Sequence, residues 1–230
     1  MNNKEKLIRD AKKIGVELNE FHVKQFEKYQ ELLLEWNEKI NLTAITEEDD
    51  IITKHFIDSL YCLEYIKSKD KVIDVGTGAG FPGVPIKIVS HETSITLLDS
   101  LNKRITYLND VIEKLNLENI QAIHGRAEEY GTNSEYRECF DVVTARAVAN
   151  MKILVEYCIP FVKIGGKFIC MKGSDYKEEL ETAKTHIGNL GGRVTLIKEI
   201  VLPETDIKHT IIVIEKIKST PKNFPRRKIK

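Results

Sequence analysis

An aspartate followed by four glycines concentrates the chemistry of this chain. Asp74, Gly76, Gly78, Gly80 and Gly83 all fall inside Val72-Ile-Asp-Val-Gly-Thr-Gly-Ala-Gly-Phe-Pro-Gly83. A short β-branched run entering a glycine-dense turn reads as a buried parallel strand that passes through a loop into a helix. Pro82 and Pro85 fall in the first helical turn, where an N–H has no intrahelical partner to lose. Glycines let the backbone turn sharply and a ligand come close, and the helix start offers unpaired donors. The pattern points to a nucleotide-like ligand. Gly78-Ala-Gly80-Phe-Pro-Gly83 satisfies the dinucleotide pattern G-x-G-x-x-G. A pyrophosphate would be repelled by a carboxylate at position 74, whereas a ligand carrying an ammonium and a sulfonium would be attracted. The other reading of Asp74 is a cap on the turn, compatible with either ligand.

Asp74-Val-Gly76-Thr-Gly78-Ala-Gly80 resembles the first motif of class I S-adenosylmethionine-dependent methyltransferases. Asp99 closes Leu97-Leu98-Asp99, where an acid accepts hydrogen bonds from ribose hydroxyls, and Ser100 follows as an N-cap. Arg126-Ala127-Glu128-Glu129 can meet an adenine through a backbone N–H and a carboxylate, or simply cap a helix. Asp141-Val-Val-Thr-Ala-Arg-Ala-Val148 lacks the Asn/Asp-Pro-Pro-aromatic motif of enzymes that methylate exocyclic amines. No Pro-Cys dipeptide offers a nucleophile for pyrimidine C5, and Cys170, in an apolar run, reads as core. A basic Arg146 suits another acceptor. Guanine N7 has a free lone pair and no proton to remove, so orientation and proximity can carry its methylation. No general base is required and no catalytic residue is assigned; Arg146 and Lys172 are the candidates. Lys172 can also be a solvated loop residue. His55 and Asp58 can face a substrate entrance or pack helix to sheet.

These residues need a frame. Phe21, Phe26, Tyr29, Leu32, Leu33, Trp36 and Ile40 recur at three- and four-residue steps and predict an amphipathic helix. A second helix is predicted over 51–66, with His55, Ser59 and Cys62 on one face. From Lys71 strands and helices alternate. Predicted strands are 71–75, 94–98, 120–124, 140–145, 166–171, 193–201 and 209–216, with helices around 105–115 and 151–161. That is an α/β fold with a doubly wound, mostly parallel sheet. The link 202–208 is short, so the last two strands form a hairpin and one strand runs antiparallel. The expected domains are an N-terminal helical extension 1–66, a methyltransferase domain 67–217 and a basic flexible tail 218–230.

The 230 residues suit one good-sized α/β core with an appendage. Cysteines at 62, 139, 158 and 170 have neither zinc-ligand nor disulfide-framework spacing, so no metal is expected. A reducing cytoplasm fits. No secretory leader is visible and no run reaches the ~18 apolar residues of a membrane span. Formal net charge is zero, but the first 70 residues hold 11 Lys/Arg against 15 Asp/Glu, while the last fifteen hold seven Lys/Arg and no acid. Such a tail can neutralise phosphates or stay solvated. No sustained heptad or long apolar edge stands out, so a monomer is expected.

Six motifs occur in order: Trp36-Asn-Glu-Lys-Ile-Asn-Leu-Thr-Ala-Ile45, His55-Phe-Ile-Asp-Ser-Leu60, Val75–Gly83, Leu98-Asp-Ser-Leu-Asn-Lys-Arg104, Arg126-Ala-Glu128 and Thr144-Ala-Arg-Ala-Val148. Together they resemble the bacterial ribosomal RNA small subunit methyltransferase G family, also called glucose-inhibited division protein B, over nearly the full chain. The resemblance implies the class I S-adenosylmethionine-dependent methyltransferase (Rossmann-like) fold, seven strands with one antiparallel, plus N-terminal helices. It implies S-adenosyl-L-methionine as cofactor, 16S rRNA or a small-subunit particle as partner, and N7 of a guanine in the decoding region as acceptor. It also implies cofactor contacts at Asp74, Gly76, Gly78, Gly80 and Phe81 in the loop. Asp99, Ser100 and Leu101 then lie along the ribose, Ala127 and Glu128 at the adenine, and Arg146 at the cofactor or the guanine. Two other readings stay open on the residues alone. One is a nicotinamide-dependent oxidoreductase using the overlapping glycine pattern, and the other a non-catalytic S-adenosylmethionine-binding or partner-binding module.

Overall fold

The computed structural model describes residues 2–146 and 149–226. Capped helices open the chain. The Asn2 carboxamide accepts from Lys4 N at 3.0 Å and starts α1 (Asn3–Lys13), and Asn19 accepts from His22 N at 2.8 Å and starts α2 (Glu20–Asn37). The apolar face of α2 buries Val23, Phe26, Tyr29, Leu32 and Leu33. Phe21, expected on that face, is 55% exposed against the His91 ring. It lies five residues before Phe26, about 140° round a helix turning about 100° per residue, and Val23 takes its place. The helix predicted over 51–66 is observed over residues 48–65, here α3, and its pitch changes along its length. Glu48–Ile51 is α-helical, Ile52–Ile57 is π-helical, Asp58–Leu60 is α-helical and Tyr61–Tyr65 is a 3-10 turn.

The remaining chain alternates as the apolar runs predict. β1 (Lys71–Val75) leads to α4 (Gly83–Val89), β2 (Ser94–Asp99) to α5 (Asn102–Lys114), and β3 (Ile120–His124) to the single turn α6 (Ala127–Tyr130). β4 (Phe140–Arg146) is followed by α7 (Met151–Cys158), β5 (Val162–Gly173) by α8 (Tyr176–Asn189), and β6 (Gly192–Val201) by β7 (Lys208–Lys216). Strand order is β3-β2-β1-β4-β5-β7-β6, with β7 antiparallel to both neighbours, so the expected hairpin and its one reversed strand are observed. β5 starts four residues earlier than predicted, because Val162 already pairs with Phe140 before the register shifts.

Each sheet face has its own apolar core. One is shared by Leu7, Phe26, Tyr29, Phe56, Val84 and Leu108 with Val72, Ile95 and Leu97 of the sheet. The other joins Ile73, Val143 and Phe168 to Leu154, Leu180 and Ile187. Helices α1–α3 thus close one face of the sheet. Trp36 Nε1 donates to Asp110 Oδ2 at 2.7 Å and Gln25 Nε2 to the Leu115 carbonyl at 2.9 Å, tying α2 to α5.

The tail expected to be flexible from 218 runs as a strap as far as Arg226. The Arg137 guanidinium donates to the carbonyls of Gly131, Thr220, Pro221 and Phe224. Buried Lys216 donates to Thr220 Oγ1 at 2.7 Å, and buried Glu156 takes Arg226 through both side-chain oxygens. The basic residues Arg227, Lys228 and Lys230 lie outside the described residues, as do Ala147 and Val148 of the Thr144–Val148 motif.

Candidate functional site

At the carboxyl end of β1 the chain turns upward and is pinned to β2: Gly76 N and Thr77 N both donate to the Leu98 carbonyl, at 2.8 and 3.2 Å. Asp74 organises this turn from beneath. Its Oδ2 accepts from Thr77 Oγ1 at 2.6 Å and Gly83 N at 3.0 Å, and its Oδ1 from Thr144 Oγ1 at 3.0 Å. The carboxylate is fully buried and lines neither of the two cavities above the loop, and its hydrogen bonds are those of the capping role. Burial pushes its pKa up to about 6, against the pull of those three donors. Gly80 is likewise structural. Its φ is +100°, and a Cβ there would sit 2.6 Å from the Tyr29 hydroxyl and 2.7 Å from Val84 Cγ2. Its absence of side chain lets α2 reach the loop, where the Tyr29 hydroxyl donates to the Ala79 carbonyl at 2.6 Å.

Two cavities adjoin above the strand ends, sharing Gly76 and Arg104. The smaller, about 260 Å³, is lined by Asp99, Ser100, Ala127, Glu128 and Tyr157 among others. Asp99 accepts from Gly78 N and Leu101 N, each at 2.9 Å, and from Arg104 Nη1 at 3.2 Å. An ionised carboxylate has about four acceptor positions, so these three donors among the described residues leave one over. Leu101, expected along the cofactor, lines neither cavity; its backbone N–H orients Asp99 instead.

The larger cavity, about 680 Å³, is lined by Gly76, Gly78, Phe81, Arg146 and Lys172 together with groups from the N-terminal helices and β7. Arg146 leaves the end of β4 and is held by α3: Nη1 donates to the Lys54 carbonyl and to Asp58 Oδ2, both at 3.1 Å, and Nη2 to His55 Nδ1 at 3.0 Å. A guanidinium only donates, so His55 Nδ1 is the accepting nitrogen and Nε2 carries the hydrogen, given to Thr43 Oγ1 at 2.9 Å. Burial, reinforced by Arg146, drops the His55 pKa to about 3, and the ring stacks on Phe81 at 4.4 Å. His55 is therefore a neutral positioning group with both nitrogens occupied. Asp58, also buried, accepts His209 Nδ1 at 2.8 Å on its other oxygen. The Asp58 bond outweighs burial and raises the His209 pKa above the usual imidazole value. Lys172 Nζ pairs with Glu179 Oε2 at 2.8 Å and donates to the Ala149 carbonyl at 3.2 Å, a tethered lining cation and not a solvated loop lysine.

Of the expected contacts, Gly76, Gly78, Phe81, Asp99, Ser100, Ala127, Glu128 and Arg146 meet on this divided crevice, while Asp74, Gly80 and Leu101 support it from outside. Sequence reasoning missed Thr43, Arg104, Ile207 and His209. Arg104 closes the Leu98–Arg104 motif, a usable signal, whereas nothing around His209 marks it. The crevice fits S-adenosylmethionine in kind. Carboxylates at one end suit ribose and adenine, and Arg146 at the other can meet a carboxylate. Where the two cavities meet, Arg104 carries a buried Nε with no partner among the described residues. Among those residues no His/Cys/Asp/Glu group has metal-binding geometry, and no helix is long and apolar enough to cross a membrane.

Comparison with known proteins extends this picture. The family model described as rRNA small subunit methyltransferase G matches residues 22–208. A ribosomal RNA small subunit methyltransferase G from Alkaliphilus metalliredigens is 50% identical over 224 residues, covering 96% of this chain and 94% of that protein. Its namesake from Thermoanaerobacter sp. (strain X514) is 52% identical, covering 99% and 96%. Among solved structures, M. jannaschii TYW2 in complex with AdoMet superposes with a TM-score of 0.55 at 17% identity, over 70% of this chain and 76% of that one. A putative transferase from Pyrococcus horikoshii gives 0.57 at 14% identity, over 70% and 63%. Likenesses this distant speak for the fold alone.

Proposed function

The chain belongs to the rRNA small subunit methyltransferase G family, and from that premise we propose that it methylates N7 of a guanine in 16S rRNA with S-adenosyl-L-methionine as donor. The observation that carries the reading is the span of the family match. Residues 22–208 include every residue lining the crevice except His209. The donor supplies a sulfonium-activated methyl group, and N7 offers a lone pair with no proton to lose.

The protein's own work is then binding and orientation. Gly76, Gly78 and Phe81 form the wall for the methionine part, Asp99 and Ser100 meet the ribose, and Ala127 and Glu128 meet the adenine. Arg146 has one limit. Its bidentate grip on guanine O6 and N7 would cover the atom to be methylated. The hydrogens not given to Lys54, His55 and Asp58 can hold O6 alone, a phosphate or a carboxylate. Lys172 adds positive charge on the same side, which favours an RNA phosphate. The partner is 16S rRNA or a small-subunit particle, met in the cytoplasm by a monomer.

Incubating the protein with methyl-tritiated S-adenosylmethionine and small-subunit particles, then digesting the RNA, tests this directly. Label in 7-methylguanosine is the expected result. Label in another nucleoside, or none at all, rejects the proposal.

A further inference from the structure

His209 stands at the start of β7 with its Nδ1 fixed on Asp58, 151 residues away in sequence. Because an ionised carboxylate only accepts, Nδ1 must carry a hydrogen, so in the neutral ring the lone pair is on Nε2. Nε2 makes no hydrogen bond among the described residues, and the residue lines the large cavity beside Arg146, Lys172 and Phe81. Asp58 is wholly buried, with both oxygens engaged, so the ring is held from a rigid base. We infer that His209 is a specificity-determining residue of the methyl-accepting site, its Nε2 accepting a hydrogen bond from N1–H of the target guanine. This inference rests on the guanine-N7 reading above.

The chemistry favours an acceptor at that edge. N1 lies on the six-membered ring, away from N7, so a partner there grips the base and leaves the reacting atom uncovered. As the N7–methyl bond forms, the methyl–sulfur bond breaks and its electron pair returns to sulfur. The positive charge passes to the purine and no proton leaves. A purine gaining charge donates more strongly through N1–H, so the bond to His209 tightens as the methyl moves. An interaction stronger in the transition state than in the ground state raises the rate and not only the affinity. Protonating His209 would remove the lone pair and set a cation against the growing charge.

The other charged groups around the cavity make this testable. Lys54 is paired with Asp50, Lys172 with Glu179, Arg146 with Asp58 and Arg104 with Asp99. His55 stays neutral down to about pH 3. Asp58 and Arg146 act on His209 in opposite senses, Asp58 prevailing. Asp74, beneath the glycine loop and raised to about 6, titrates in the same range, so a loss of rate on mild acidification is assigned to His209 only where it disappears in His209→Gln.

The experiment measures single-turnover methyl transfer to small-subunit particles across the range in which histidine titrates, about pH 5 to 8. Wild type, His209→Ala and His209→Gln are compared, with cofactor affinity measured by calorimetry for each. Wild type is expected to lose rate as pH falls. His209→Ala is expected to be about 100-fold slower at the alkaline end of that range, where the neutral ring prevails, with cofactor affinity kept. His209→Gln, whose carbonyl oxygen can accept from N1–H, should recover part of the rate and show no acid limb. A wild-type rate in His209→Ala, an acid limb that survives in both variants, or loss of cofactor affinity in both overturns the inference. Wild-type label in a nucleoside other than 7-methylguanosine overturns the underlying reading instead, whatever the variants do.

Discussion

A carboxylate at a strand end can face a ligand or brace the loop that follows the strand, and the hydrogen bonds of Asp74 do the second. Its raised pKa has a consequence for stability. From the ordinary 3.8 to about 6 the folded state binds more protons than the unfolded one, so Asp74's contribution is lost as pH rises through that window. The amount is roughly 3 kcal/mol at about 1.4 kcal/mol per pH unit. Asp74→Asn can keep the network: Oδ1 takes Gly83 N–H and Thr77, and Nδ2 donates to Thr144, whose hydroxyl can turn to accept. Urea unfolding at pH 4 and pH 7 should therefore show Asp74→Asn gaining on wild type as pH rises, by up to about 3 kcal/mol. A constant difference between the two proteins would mean that Asp74 is not held in this state. Residue type and order announced this acid, Asp99 and Arg146, but burial did not show in the sequence, and burial separates a ligand contact from a cap. His209 was illegible for another reason. Its meaning comes from Asp58, and only the folded chain brings β7 against α3.

Elements were far easier to read than their local irregularities. The seven strands follow from β-branched runs bounded by turn residues, and the reversal of β7 from a link too short for a crossover. The π-helical turn Ile52–Ile57 has no such mark, since its residues suit an α-helix equally. Nor could the glycine pattern reveal that Gly80 serves the contact between α2 and the loop. Two glycines isolate that contact. Gly80 and Gly15 have φ values of +100° and +80°, so alanine meets unfavourable backbone geometry at both. A Cβ at Gly15 meets nothing within 4 Å, whereas at Gly80 it strikes Tyr29 and Val84. Gly80→Ala should thus cost about 1–3 kcal/mol more than Gly15→Ala in chemical denaturation, from overpacking alone, and should weaken cofactor binding. Equal losses would show that the loop has room for α2 to withdraw.

At the scale of the whole molecule, the chain's two ends close opposite sides of one sheet. The N-terminal helices complete one apolar core, and their amphipathic spacing foretold as much. The C-terminal strap carries no apolar periodicity, and its prolines and positive charge read as a solvated tail. What holds it are single polar anchors spread along the sequence: Arg137 beneath four carbonyls, Lys216 on Thr220, and Glu156 on Arg226. Three of those four carbonyls belong to residues 220–224, so Arg137 gathers the strap at its middle while the other two anchors hold its ends. Hydrogen bonds to a charged group contribute about 1.5–3 kcal/mol each at best, and less where water can replace them. Arg137→Ala should therefore free the strap without unfolding the sheet. Amide exchange at Thr220 and Phe224, whose N–H groups bond Glu138 and the Pro221 carbonyl, should accelerate by at least tenfold while β4 and β5 stay protected. Arg193→Ala removes an exposed pair with Glu215 and serves as the control, with no effect expected on the strap. Unchanged exchange in Arg137→Ala would assign the strap to Lys216 and Glu156, and global loss of protection would make it part of the core's own cooperative unit.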